Sequence, residues 1–378
     1  MGNGLGDINP EDIESMSVLK SGAASALYGS RAGNGAIVIT TKSGRAQKGT
    51  GITYSSTLGL ETLFTLPKLQ NSFAQGKDGV FDNLQLYSWG PEMGSTYQAY
   101  NNIEDFFKTG VNHTQNISFQ QQYENTSVYT SATYLNDQSK IPGSSLERLN
   151  LMSRVTSNFG ENKRWSTDVK VQYMNNNAVN RPTSGQNNGN AYSTLFTMPR
   201  SLSILDYKNP LTNTGKMYWY GTTNSINPYW LAEYQQNNDV RNRYMMNANI
   251  KYKLTDWLDA EARTGMDSYV TRFDNRTYGG SPMAANGKYA NGKTEFAERN
   301  YTLALHARKD ELGGSKWGLS GSLFGQIMKS NETMLNVNAG ELEVPNFFSV
   351  QNGVGNPAVD QLNNRKQINS IYATAEVN

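Results

Sequence analysis

The stretch from Leu149 to Tyr173 constrains the fold of this chain more than any other feature. Leu149, Leu151, Val155 and Phe159 share one parity, and Asn150, Arg154, Thr156 and Asn158 share the other. After a short turn at 160–164, Trp165, Val169, Val171 and Tyr173 line one face, with Ser166, Asp168, Lys170 and Gln172 on the opposite one. Period two over about ten residues marks a β-strand with one apolar and one polar face.

The unit recurs. Tyr244, Met246, Ala248, Ile250 and Tyr252 alternate with Asn247, Asn249, Lys251 and Lys253. Past a turn at Thr255-Asp256, Leu258, Ala260, Ala262 and Met266 alternate with Asp259, Glu261, Arg263 and Asp267. Tyr301, Leu303 and Leu305 lead through Gly313-Gly314 to Trp317, Leu319, Leu323 and Ile327, and a weaker hairpin spans His113 to Tyr134. In all, about ten strands are expected, the last stopping short at Asn378.

Connection lengths separate a sandwich from a barrel. Short turns alternate with long polar segments, expected at 61–111, 175–242, 271–298 and 329–366, and only the 137–147 link is of modest length. A sandwich has little reason to gather its long loops at one end, whereas an outer-membrane barrel does so by rule. Lys and Arg also fall mostly on the polar parity, where lipid would not meet them. Trp165 and Trp317 follow short turns on the apolar parity, as girdle aromatics should. Trp257 takes the equivalent place on the polar parity, which a bulge or a position below the hydrocarbon would explain.

Composition narrows the chemistry. Apolar residues make up 37% of the chain and cysteine is absent, so disulfides, thiolate metal sites and a Cys nucleophile are excluded. The 34 basic and 32 acidic residues are dispersed, which gives no footprint for nucleic acid. No apolar run is long enough for a membrane-spanning helix, a fact that says nothing against a barrel. The opening MGNGLG has neither the basic start nor the apolar core of a signal peptide, so an incomplete chain is expected.

Residues 1–48 differ from all that follows. Asn9-Pro10 reads as a turn before a strand at 13–19. Ser21 can cap a short Ala-rich helical turn that ends at Gly29, and a tight turn at 33–35 leads into a strand at 36–41. The run "INPEDIESMSVLKSGAASALYGSRAGNGAIVITTKSG", Ile8 to Gly44, closely resembles the end of the plug domain of SusC/RagA-type TonB-dependent outer-membrane transporters. Downstream, "NPYWLAEYQQNND", "VPNFFSVQNG" and "NSIYAT" are similar to barrel segments of the same family.

The resemblance implies an all-β transmembrane β-barrel, here about ten antiparallel strands of a twenty-two-stranded one, with the C-terminal part of an α+β plug. It assigns 1–48 to the plug and 49–378 to the first part of the barrel. It further implies import of large nutrients, glycan oligosaccharides or peptides, across a Bacteroidetes-like outer membrane. A SusD-type surface lipoprotein would form a lid and a TonB–ExbB–ExbD complex would supply energy. No cofactor and no enzymatic activity are implied, long loops would be extracellular and short turns periplasmic. The signal sequence, TonB box and C-terminal strands of the family lie outside the match, so the chain alone is not expected to transport.

The resemblance places Glu14, Lys20, Tyr28, Gly29, Arg31 and Gly35 in the plug signature. Arg31 is expected to pair with a wall carboxylate such as Asp168 or Glu261. In the long segments, Tyr87, Trp89, Tyr97, Trp219, Tyr220 and Trp230 offer aromatic faces beside Asn and Gln, suited to stacking on a sugar or peptide or on a lid. The blander reading is that they pack loops on one another.

Rival chemistries fare worse. "GSRAGNG" lacks the order of a phosphate loop and its glycines precede a strand. His113 and His306 lack ligand or triad spacing, and the carboxylate pairs Asp259/Glu261, Glu104/Asp105 and Glu341/Glu343 suit solvated or structural roles. "GKDGVFDN" lacks the spaced ligands of a calcium loop. The alternative to import is a surface-exposed β-rich protein that holds glycan or host ligand without transport.

Overall fold

The computed structural model describes residues 8–22, 24, 32–46, 49–183, 185, 189–220, 225–311 and 317–377. Two sheets account for the strands. β1 (Ile13–Leu19) and β2 (Ala36–Thr41) form an antiparallel pair in which Met16 faces Ile39. The other ten strands form one antiparallel meander: β3 (Ile52–Glu61), β4 (Gly110–Tyr123), β5 (Thr126–Gln138), β6 (Ser145–Phe159), β7 (Trp165–Val179), β8 (Gln235–Lys253), β9 (Leu258–Tyr278), β10 (Gly287–Lys309), β11 (Leu319–Glu341) and β12 (Ala358–Val377). Each pairs with its sequence neighbours, and β3 and β12 are the edges.

Burial is inverted relative to a water-soluble sheet. The apolar parity points outward, with Leu151 41%, Val169 44% and Leu303 70% exposed. The polar parity points inward, where Asn116, Ser131 and Thr133 are at most 5% exposed. Only a sheet whose outer face meets hydrocarbon gains by this arrangement. Among the described residues no helix is long and apolar enough to cross a membrane. This is a partial transmembrane β-barrel.

Two of the expected polar connections are largely strand. The link expected at 271–298 shrinks to 279–286, because β9 and β10 stay paired up to Tyr278 and Gly287. That expected at 329–366 shrinks to 342–357, with Asn338 still facing Ala358. The backbone ladder needs no alternation of side chains. Where both faces of a strand meet water the period-two signal vanishes while the hydrogen bonds continue. The 23 residues of β10 reach roughly 75 Å at strand rise, far beyond a bilayer core of about 30 Å.

The aromatic exception also resolves. Trp257 lies in the turn before Leu258 opens β9, where its carbonyl accepts from Arg308 N–H, so strand parity does not govern it. Trp165 does belong to a strand, set between Phe159 and Tyr252 at 6.2 and 4.4 Å on the outward face.

Candidate functional site

Two sites stand out, a polar dock between the N-terminal segment and the barrel wall and an aromatic cap built from the long loops. The dock centres on Asp12. Asn9 caps a single 3-10 turn at Pro10–Asp12, its side chain accepting from Glu11 N–H. This turn drives Asp12 into the wall, where it is 1% exposed. Its Oδ1 accepts from Tyr129 Oη at 3.1 Å and Ser131 Oγ at 2.5 Å, and its Oδ2 from Asn9 Nδ2 at 2.8 Å. Asn9 Nδ2 also reaches Thr133 Oγ1, which takes a second bond from Asn116. Tyr129, Ser131 and Thr133 are successive inward positions of β5, so one strand face supplies three groups at one spacing.

A second tether lies alongside. Arg154 on β6 grips Asp168 on β7 through Nε and Nη2, at 2.9 and 2.7 Å, and donates from Nη1 to the Thr41 carbonyl at the end of β2. Lys42 N–H closes back on the Asp12 carbonyl, and its Nζ on that of Glu11. The chain then runs so close to β5 that a Cβ on Gly44 would stand 2.4 Å from Val128 N and 2.5 Å from its carbonyl oxygen. Only glycine fits there.

The expected plug signature is partly in view. Glu14 pairs with Arg45. Lys20 is exposed and its carbonyl accepts from Ala24 N–H. Gly35 has φ +104°, and a side chain there would press on the Leu19 carbonyl. Tyr28, Gly29 and Arg31 lie outside the described residues. Both carboxylates offered as partners for Arg31 are already engaged. Asp168 is held by Arg154, and Glu261 is held by Arg263 at 2.5 Å and by His306 Nε2 at 2.7 Å.

His306 is more than an ordinary strand residue. Its Nδ1 meets Ser322 Oγ at 2.8 Å, so Ser322, His306 and Glu261 form a line across β11, β10 and β9. The backbone amides at these positions belong to the ladder, which leaves no pair of N–H groups to stabilise an oxyanion. The line ties three strands together on the lumen side.

The cap draws on sequence far apart. Helices α1 (Asn102–Phe106), α2 (Ala191–Thr197) and α3 (Pro228–Tyr234) pack Ile103, Phe106, Phe107, Leu195 and Tyr229 with Met198, Ile204 and Tyr207 into one apolar cluster. Asn102, 1% exposed, bonds both the Leu202 carbonyl and Ile204 N–H, while Tyr100 N–H meets the Arg200 carbonyl. Burial lifts the Tyr207 hydroxyl to about 12 and pushes that of Tyr220 up as well.

The six loop aromatics therefore divide. Trp230, 1% exposed, stacks on Tyr234 at 4.5 Å inside the cap, and its expected role as a ligand contact is corrected: it has no face to offer. Trp219 and Tyr220 pack on the apolar cluster, with Trp219 Nε1 donating to Ser225 Oγ. Tyr87 and Trp89 are exposed by nearly three-fifths, Trp89 beside Phe73, and Tyr97 stacks on Phe81. Sequence reasoning missed Asn9, Asp12 and Arg154. The Asn-Pro turn and the buried-parity position of Arg154 were the available signals.

The TonB-dependent receptor plug domain family matches residues 1–36. TonB-dependent receptor SusC of Bacteroides thetaiotaomicron is 27% identical over 276 residues, which cover 67% of this chain and 26% of that protein. TonB-dependent receptor P3 of Formosa agariphila is 26% identical over 306 residues, covering 78% and 28%. The chain thus spans only about a quarter of the length of these relatives. In fold it is similar to the RagAB peptide importer in its "closed-closed" state, with a TM-score of 0.72 at 18% identity over 98% of this chain and 45% of that one. The "open-open" state gives 0.72 at 19% identity over the same shares.

Proposed function

We propose, for a chain that belongs to the SusC/RagA-type TonB-dependent transporters, that residues 1–48 end a plug and residues 49–378 begin the outer-membrane barrel around it. The barrel imports large nutrients, oligosaccharides or peptides, under the drive of a TonB–ExbB–ExbD complex. A SusD-type lipoprotein covers the mouth, the loop cap faces outward and the short turns face the periplasm. One observation carries this reading. An apolar face turned outward coexists with a plug segment held inside by a buried polar dock. A surface binding protein needs neither. The edges β3 and β12 are paired by further strands of the closed barrel, since hydrocarbon tolerates no free ladder.

In this reading the dock is the fixed end of the plug. A carboxylate with three donors in a water-poor site yields last when the plug is pulled, and the path opens elsewhere. The test compares uptake of labelled oligosaccharide and peptide mixtures by cells with the gene deleted, with TonB deleted, and unaltered. Loss of the same substrate class in both deletions is expected. Uptake that persists in the gene deletion while surface binding disappears would leave a binding protein and end the import reading.

A further inference from the structure

The outward face of the barrel carries a charge asymmetry that transport does not use. On β9–β12, Arg272, Lys293, Arg299, Lys329 and Arg365 all point outward, because each shares the parity of Leu303, Ile327 or Ile371 through the register. Arg299 and Lys329 stand directly opposite one another on β10 and β11. Like charges in facing positions destabilise a strand pair. Arg299, Lys329 and Arg365 are exposed, and among the described residues none of the three has an ion-pair partner. The outward carboxylates on these strands are taken by other groups, Glu295 by Lys293 at 3.0 Å and Asp274 by Arg276 at 2.6 Å.

The patch has a defined height. Lys329 is ten residues above Leu319 at the foot of β11, on the order of 25 Å up the membrane normal once the usual strand tilt is allowed. That is the upper edge of the hydrocarbon. Immediately below lie Tyr301, Leu303, Ile327 and Ile371, exposed by 43 to 85%. The opposite stretch of wall lacks this charge. On β7 and β8 the boundary is made by Tyr173 stacked on Tyr244 at 5.0 Å, with Asn175 and Asn242 bonded above them. Pairing of another strand along the edge of β12 leaves its outward face free.

We infer that Arg299, Lys329 and Arg365 form a binding site for the phosphorylated head group of a membrane glycolipid, whose acyl chains lie on the apolar strip beneath. The guanidinium groups suit a bidentate grip on phosphate and Lys329 adds a point charge. A bound dianion turns the repulsion between Arg299 and Lys329 into a shared contact. Free phosphate would leave the apolar strip without a role, so the occupant is the lipid.

This inference rests on the barrel reading, and the experiment separates the two. The full chain is extracted from outer membranes into detergent and incubated with monophosphorylated lipid A, the same lipid dephosphorylated, or inorganic phosphate. Retained ligand is then read by native mass spectrometry. Phosphorylated lipid should be kept roughly tenfold better than its dephosphorylated form, given the pull of three basic groups on an anionic head group. The triple variant R299Q/K329Q/R365Q should lose this preference, and E295Q should strengthen it. Both should keep the heat-modifiable gel mobility of a folded barrel. Equal retention of the two lipids by the unaltered chain, or an undiminished preference in the triple variant, overturns the site. Displacement of the lipid by equimolar inorganic phosphate also overturns it, because the site then reads free anion. A chain that never partitions into membranes fails the barrel reading itself.

Discussion

The dock and the cap are two regions in which side chains are buried away from lipid, and they are built from opposite materials. The dock is polar throughout: Asn9, Asp12, Asn116, Ser131 and Thr133 are nearly inaccessible, and each is hydrogen-bonded. The cap is apolar, its bonds serving to pin loop backbone around Ile103, Phe106, Leu195 and Trp230. Polar contacts are directional and fail together once water enters, whereas apolar packing tolerates sliding and costs in proportion to the area lost. A dock of this kind suits a part that must hold one position. A cap of this kind suits a surface that must stay ordered over a moving partner.

The largest effect expected is on the cap. Trp230→Ala removes a fully buried indole stacked on Tyr234 and should destabilise the loop assembly by about 3–5 kcal/mol. Hydrogen exchange should rise sharply across α1–α3 and stay unchanged in residues 9–19. If the dock loosens equally, the two regions are one cooperative unit and the contrast fails. The dock's counterpart is Asp12→Asn, which turns an acceptor of three bonds into a poorer one and should cost about 2 kcal/mol locally. Limited proteolysis near residue 20 should then speed up while the cap remains intact.

Alkali should part the regions too. The Tyr207 hydroxyl is raised from 10.0 to about 12 by burial, so the folded cap holds its proton more tightly than an open one does. The stabilisation is whole below pH 10 and is lost as pH climbs toward 12. The share of tyrosinate absorbance due to Tyr207, read as the difference between the unaltered chain and Tyr207→Phe, should appear late and together with cap opening. A Tyr207 share of the signal that forms near pH 10, before any opening, would show that Tyr207 is not buried as described.

How far the sequence disclosed these regions follows from the distance between their parts. Strand parity is a local property, so Leu151, Val169 and Ile250 declare their outward face from neighbours two residues away. β1 and β2 are equally local and begin and end where the pattern says. The dock is not local. Asp12 meets Tyr129 across 117 positions, and nothing near Asp12 marks it as the buried member of Pro10–Asp12 rather than Glu11. The cap joins 102–107 to 191–207 and 226–231, and a run of loop aromatics reads the same whether it covers a core or greets a ligand. The upper halves of β9 to β12 were hidden for another reason: with water on both faces they carry no alternation to read.

The smallest structural effect, and the most telling for function, is expected at Tyr87 and Trp89. Both rings are more than half exposed, with Trp89 tilted against Phe73 at 6.0 Å between ring centres. Replacing both with Ala should therefore change stability by less than about 0.5 kcal/mol. If these faces stack on the ligand of the proposed importer, uptake at low substrate concentration should fall several-fold, since an exposed aromatic face contributes about 1 kcal/mol per contact. The cap's hydrogen exchange should not move. Unaltered uptake would confine ligand contact to some other surface and leave the whole aromatic set, Trp219, Tyr220 and Trp230 included, as packing. A fall in uptake accompanied by loosening of α1–α3 would mean that Trp89 supports the core through Phe73 and is not a contact at all. Reduced uptake on an unchanged cap is the one result that assigns the outer rings to binding and the inner ones to holding them in place.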